Sequence, residues 1–337
     1  MKQGLLIVGN QVPEDWEFRK GVETATGEKW NVRVCVINRF DGIRKYTRYL
    51  TFFLGPLQIF FRRNRYSKIL SWEQFLALMI AFYCRLFHVR SCPPIYVMAL
   101  IYKPKKGLIG RLFAWFVRYA VTSRYVKRII VYSKSEVAYY SELFGVSEEK
   151  FFVEVLGIED RPDLRCAGPD AREKYYLAPG RSNRDYDFLR SAWPEDGSTI
   201  YVVCDVETAE DAGRIRYLKN CHGDEYLRLL AGSYAVLVPL QSEKISSGQM
   251  VFLQSAMLGK PVITTWNETV GDYVEDGETG VVIEKTETAL CRALEALDDP
   301  DRYQQMSRRA REVFLSRFSL FDMGKRVGAR ITGDLSE

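Results

Sequence analysis

Runs of branched and aromatic residues recur along this chain with helix-patterned stretches between them, and they do so in two successive series. In the first, "GLLIVGN", "NVRVCVINRF", "SKILSW", "PPIYVMALIY" and "VKRIIVYS" have the continuous apolar character of parallel strands buried on both faces. "SKSEVAYYSELFG" opens with a capping residue, Ser133, and stops at a glycine, as a helix does. The second series reads "KYYLAPG", a helix from Tyr186, "STIYVVCD", a helical stretch near "TAEDAGR" and a helix from Asp224. It continues with "YAVLVPL", a helix over 248–258, "KPVITT", "GVVI" and a helix from Thr286. Strand–helix alternation of this kind predicts doubly wound α/β domains. At 337 residues the chain is long for one core, so two are expected. The first spans residues 1–160 and the second 173–319. Between them lies "IEDRPDLRCAGPDAR", a linker rich in proline, glycine and charge. A terminal helix at about 320–337 is expected to return to the first domain. Open α/β sheets take ligands at the carboxyl ends of their strands, so two facing sheets predict a central cleft.

Charge divides the chain the same way. The net charge is +5, yet residues 1–150 carry 25 Lys and Arg against 11 Asp and Glu, while the remainder is acidic. Between Arg33 and Lys134 stand 20 basic residues and two acids, Asp41 and Glu73. Such a half suits a polyanionic partner, and an anionic membrane surface is the reading adopted. Nucleic acid is set aside, because the sequence carries no helix-turn-helix, zinc-finger or RNA-binding aromatic signature. Three apolar stretches with basic flanks, 49–65, 75–87 and 108–121, fall short of the roughly 20 uninterrupted apolar residues of a spanning helix. Surface-lying amphipathic helices fit them, except 75–87, which reads as a core helix. Seven scattered cysteines without a C-x-x-C pair, and only two histidines, predict no metal cage and free thiols in a reducing compartment. The start, "MKQGLLIVGNQVPED", reads as a first strand and not as a signal peptide. A peripheral position on the inner face of the cytoplasmic membrane is the expected location.

The stretch "QSEKISSGQMVFLQSAMLGKPVITT" carries the chemistry. Met250, Val251, Phe252, Leu253, Ala256, Met257 and Leu258 make the helix apolar on nearly every face, hence buried. A buried helix whose start opens on solvent points backbone N–H groups and its positive dipole end at whatever binds there, and phosphate is the natural ligand. Ser246, Ser247 and Gly248 are small enough to let an anion reach the backbone. Gln254, seven positions after Ser247, lies within about 20° of the same face, where it reaches a sugar hydroxyl. The other reading makes the serines a helix cap and Gln254 a satisfied core amide. "APGRSNRDYDFL" supplies Arg181 and Arg184 at the end of that domain's first strand, and paired guanidiniums there suit a diphosphate. In the first half, "SKILSWEQF" puts Trp72, Glu73 and Gln74 just past a strand. Glu73 would orient or deprotonate an acceptor hydroxyl, or else serve as a first-turn helix residue. Ser133 and Lys134 occupy the equivalent end of another strand.

In this order, G-R-S-N-R-D-Y, V-P-L, S-S-G-Q-x-x-x-L-Q-x-A-M-x-x-G-K-P-V-I-x-T and Y-V-x-D-G-x-T-G resemble the C-terminal domain of the GT-B glycosyltransferases similar to family four, over about 174–283. Residues 131–160 also resemble the segment leading into that family's interdomain linker. The resemblance implies two Rossmann-like domains and transfer of a sugar from a UDP- or GDP-linked donor to a lipid-linked or polysaccharide acceptor. It also implies retention of anomeric configuration and no metal or other cofactor. By it, Arg181, Ser182, Asn183, Arg184, Lys244, Ser246, Ser247, Gly248, Gln249 and Gln254 bind the donor, with Arg181 and Arg184 neutralising the leaving diphosphate. The acceptor side falls to Trp72, Glu73, Gln74, Ser133 and Lys134. Two departures stand out. The family's Glu-x7-Glu pattern is here Ser246 and Gln254, leaving Glu243 or Lys244 to take the donor-sugar contact, and "NQVPED" replaces a Gly-rich loop after the first strand. A nucleotide-sugar epimerase of the same fold and an inactive partner subunit are the alternative readings.

Overall fold

The computed structural model describes residues 2–35, 44–102, 106–132, 134–165, 174–205, 211–244 and 247–334. The chain forms two compact units: Met1–Leu156 with Leu320–Glu337, and Gly157–Ser319.

The first unit alternates as its sequence predicts: β1 (Gln3–Val8), α1 (Glu17–Thr26), β2 (Trp30–Val34), α2 (Arg44–Arg62), β3 (Tyr66–Ser71) and α3 (Gln74–Leu86). Then come β4 (Ile95–Val97), α4 (Gly107–Val121), β5 (Val126–Val131), α5 (Lys134–Phe144) and β6 (Phe151–Val153). Among the described residues these strands make one parallel sheet in the order β2-β1-β3-β4-β5-β6. Leu5 to Val8 and Ile69 to Ser71 are buried, as strands covered on both faces must be. One face packs on α3, which buries Leu76 to Ala81 and Cys84 and is the core helix expected for 75–87.

The second unit begins with the single turn α6 (Pro162–Arg165). It continues with β7 (Tyr175–Pro179), α7 (Tyr186–Ala192), β8 (Thr199–Val203), β9 (Ile215–Leu218), α8 (Gly223–Gly232), β10 (Val236–Val238) and α9 (Gln249–Met257). β11 (Val262–Thr265), β12 (Gly280–Ile283), α10 (Glu287–Asp298) and α11 (Pro300–Val313) complete it. Its parallel sheet runs β9-β8-β7-β10-β11-β12. The last helix, α12 (Leu320–Gly333), packs on α1 in the first unit, burying Met323, Val327 and Ile331 beside Phe18 and Val22.

Two details differ from the sequence reading. The beginning of the helical stretch expected near "TAEDAGR", 208–210, lies outside the described residues. Its end, 211–214, is a turn closed by the Ala212 and Ile215 backbones. β9 was not anticipated, because an edge strand of four residues flanked by Arg214 and Lys219 shows no apolar run.

The two strand orders fix where ligands can enter. In the second unit the chain steps outward from β7 to β8 and β9, then returns to β10 on the other side of β7. Loops leaving the carboxyl ends of β7 and β10 therefore part company, and a crevice opens between them. In the first unit the same reversal falls between β1 and β3.

Candidate functional site

In the second unit the loops after β7 and β10 meet across that reversal. Asp185 N–H donates to Pro239 O at 2.8 Å, and Arg184 and Leu240 form an isolated bridge. Asn183, at φ +55°, accepts from Ser242 N–H at 2.8 Å through Oδ1. Gly180 sits at φ +126°, and a Cβ there would come within 2.7 Å of the Arg184 guanidinium. Only glycine lets that side chain fold back over the strand end.

Arg184 lies at the centre of the crossing. Its Nε donates to Pro179 O at 3.1 Å, and its Nη1 to Ser182 O at 2.9 Å and Ser247 Oγ at 3.1 Å. Burial lowers its pKa from the ordinary guanidinium value. No carboxylate among the described residues forms an ion pair with it, so the neighbourhood carries an uncompensated positive charge. α9 points its beginning at the same place. Its capping position is Gly248 in the left-handed region at φ +90°, and no side chain caps its first turn. Ser247 donates instead to Ser182 O at 3.1 Å, tying the two loops together. A helix start without a cap, beside a half-buried guanidinium, is an anion site built from two independent sources of positive potential.

A cavity of about 250 Å³ adjoins this point, lined by Gly180, Arg181, Asp205, His222, Tyr226 and Gln254 among others. Arg181 is exposed and reaches Asp205 at 3.5 Å. His222 Nε2 lies 3.7 Å from the same carboxylate, and Asp205 Oδ1 accepts from Asn220 N–H at 3.0 Å. The Tyr226 hydroxyl is buried without a hydrogen-bond partner among the described residues, and burial pushes its pKa upward. Gln254 is half-buried, with no side-chain hydrogen bond among the described residues. It is not a satisfied core amide. Asp205, His222 and Tyr226 were not singled out from sequence. The one signal for them was an acid ending the strand-like "STIYVVCD".

The remaining donor-side candidates separate. Glu243 lines a different cavity, of about 420 Å³, with Trp266, Asp276 and Lys285. Lys244 is exposed. Gln249 opens α9. Ser246 lies outside the described residues.

In the first unit, Glu73 stands at the β1/β3 reversal. A Cβ on Gly9, just past β1, would lie 2.9 Å from Glu73 Cγ and 3.0 Å from Oε1. The Glu73 side chain does not cap α3, and its carboxylate is half-buried with no ion-pair partner among the described residues. Trp72 packs against Trp16 and Phe18, with ring centroids 5.4 and 4.9 Å away. Gln74 spends its amide on Ile101, donating to its carbonyl at 3.0 Å and accepting from its N–H at 2.7 Å. These two bonds brace the loop after β4 and leave the Gln74 amide one further N–H donor and one lone pair. Lys134 is exposed at the start of α5, and Ser133 lies outside the described residues. A larger cavity of about 730 Å³ lies between β6 and α12, where Arg128 pairs with Asp334 and Arg326 with Glu154, each at 2.7 Å, while Arg330 forms no ion pair among the described residues. No cluster of metal-ligating side chains occurs among the described residues.

Residues 202–313 match the family model described as glycosyl transferases group 1. A search of curated protein sequences finds no match. Among solved structures, HepE from Anabaena in complex with UDP and glucose superposes with a TM-score of 0.60 at 13% identity, covering 98% of this chain and 100% of that one. Sucrose-phosphate synthase from Thermosynechococcus elongatus does so with a TM-score of 0.61 at 13% identity, covering 99% of each. WaaG, a glycosyltransferase involved in lipopolysaccharide biosynthesis, has a TM-score of 0.54 at 15% identity, covering 98% of this chain and 100% of that one. The two doubly wound sheets are those of the GT-B fold, and residues 202–313 of the second unit match the group 1 glycosyltransferase model.

Proposed function

We propose that the protein moves a sugar from a nucleoside diphosphate sugar to a lipid-linked or polysaccharide acceptor, with retention and without a metal. The observation that carries this is the half-buried Arg184 guanidinium, lacking a carboxylate among the described residues, at the uncapped start of α9. Breaking the bond between the anomeric carbon and the diphosphate leaves negative charge on the departing phosphate. A fixed guanidinium and oriented backbone N–H groups meet that charge without reorganising, and they supply the compensation a cation otherwise gives. Arg181, exposed at the cavity rim, adds a second charge. Gln254 and the Tyr226 hydroxyl serve the nucleoside hydroxyls, the one as donor and acceptor and the other as donor. HepE in complex with UDP favours a uridine donor over a guanosine one. Within the first unit, Glu73 serves the acceptor hydroxyl as orienting group or base, at that sheet's own reversal.

The first unit also fits an anionic membrane face. α4 exposes Leu108, Ile109, Leu112 and Trp115, with Ile109 81% accessible, beside Lys106 and Arg111. No helix among the described residues is long and apolar enough to cross a membrane. A lipid-linked acceptor, presented at the inner face of the cytoplasmic membrane, is consistent with such a surface.

A thermal-shift series with UDP, GDP and ADP tests the donor assignment. A bound nucleotide raises the melting temperature, UDP is expected to raise it most, and Arg184→Ala is expected to lose the rise. A variant that keeps the full UDP response removes the anion site from the mechanism.

A further inference from the structure

Away from both strand reversals, two thiols lie side by side in the first unit. Cys84, in the last turns of α3, is fully buried, and Cys92 is half-buried in the segment leading to β4. Their sulfurs are 3.4 Å apart, hydrogen-bonding distance for a thiol pair. Cys92 also lines a cavity of about 330 Å³ whose charged members are Arg90, Arg124 and Lys127, with no carboxylate in the lining. Arg90 and Lys127 are exposed and form no ion pair among the described residues. Arg124 donates to Val89 O at 3.2 Å and stacks on Tyr125, which holds it at the cavity wall. Arg63, whose Nε donates to Ser91 O at 3.2 Å, reaches the pair electrostatically from within the unit. The bond from Cys92, helped by Arg63, lowers the Cys84 pKa below the ordinary thiol value, while the same bond and burial raise that of Cys92.

We propose that Cys84 and Cys92 form a reversible redox pair whose oxidant is an anionic, low-molecular-weight disulfide docked on Arg90, Arg124 and Lys127. Cys92 is the sulfur within reach of solvent, so it loses its proton to water and attacks as the thiolate. One new S–S bond forms to Cys92, the disulfide's own S–S bond breaks, and the first half leaves as a thiolate that takes a proton from water. Cys84 then gives up its proton and attacks the Cys92 sulfur, expelling the second half. In sum, the protein dithiol and one small disulfide become the protein disulfide and two small thiols. The positive cavity raises the local concentration of an anionic reagent and stabilises each departing thiolate. Electropositive, partly exposed surroundings are those in which a thiol reacts.

The test follows the reduced full-length chain by intact mass and peptide mapping while it meets three small disulfides: anionic glutathione disulfide, neutral bis(2-hydroxyethyl) disulfide and cationic cystamine. The expected product has lost two hydrogens and maps to Cys84–Cys92. The anionic reagent should react at least about fivefold faster than the cationic one, the gap closing at high salt. Arg90→Glu with Lys127→Glu should reverse that order while leaving the neutral rate within about twofold. Cys84→Ser should stop at the mixed disulfide on Cys92. Mapping of the first linkage to other cysteines overturns the assignment of the pair, and equal rates for the three reagents overturn the docking site. Both readouts come from the unaltered chain, so they stand even where a variant fails to fold.

Discussion

Tyr226 and Arg184 are each expensive in the absence of ligand. A buried hydroxyl with no partner forfeits about 1–3 kcal/mol of hydration, and a buried guanidinium without a counter-charge forfeits more. By contrast, the Arg311 guanidinium has a carboxylate in Asp160, and Asn183 has the Ser242 N–H. Stability and ligand affinity are therefore expected to move in opposite directions here. Tyr226→Phe removes the orphaned hydroxyl and keeps the ring, so the melting temperature of the free protein should hold or rise. UDP binding should weaken by about 1 kcal/mol, roughly fivefold, the worth of one neutral hydrogen bond. Calorimetric titration beside a melting scan reads both. A drop in stability with unchanged affinity would assign the hydroxyl to the fold alone.

Among elements, α9 and α4 were read from similar evidence, apolar residues at helical spacing, yet they meet different surroundings. α9 lies under the second sheet with Val251 to Leu253 and Ser255 to Met257 buried, and it offers the crevice only its uncapped start. α4 buries Gly110, Val117, Ala120 and Val121 and turns Leu108, Ile109, Leu112 and Trp115 outward. Exposed side chains spaced one, four and seven residues on from Leu108 share one helix face, and Arg111 and Lys106 stand ready for lipid phosphates. Ile109→Asp should reduce sedimentation of the protein with anionic vesicles at least about fivefold, since it trades buried apolar area for a charge of the wrong sign. The melting temperature should not change, because Ile109 covers nothing in the fold. Undiminished vesicle binding would leave α4 without a membrane role. The sequence showed α4 as apolar with basic flanks but could not show which face was covered, since that depends on where α3 and β5 lie. For the same reason Gln74 read as a cleft residue: its engagement by Ile101, 27 positions away, becomes visible only once β3 and β4 pair.

At the scale of the molecule, continuous apolar runs made both sheets legible, because a strand buried on both faces has no other way to be written. Strand order was not legible. That Asp205, His222 and Tyr226 share a cavity follows from β8 lying between β7 and β9, and Glu243 falls into a separate cavity from Gln254 although eleven positions separate them. The return of the chain's end to the first unit has the largest consequence for folding. α12 meets α1 at glycine contacts so close that a Cβ on Gly324 would lie 2.2 Å from Phe18 O, and one on Gly21 2.0 Å from Phe321 O. Helices in such contact bury apolar side chains in one core with the sheet: Phe18 and Val22 on α1, and Met323, Val327 and Ile331 on α12, beside Leu6, Val8, Leu70 and Tyr96. At about 1.5–3 kcal/mol for each large side chain, losing that seam removes an amount comparable to the whole stability of a domain. A fragment of residues 1–156 should therefore lack a cooperative thermal transition, and joining residues 320–334 to it through a flexible linker should restore one. Residues 157–319, which contain both strands of their own reversal and all of α9, should melt cooperatively alone and keep the UDP-induced shift. Circular dichroism of the three fragments decides the matter: a cooperative melt from 1–156 alone would mean that α12 is dispensable to the first sheet, and its glycine seam a consequence of folding and not a condition for it.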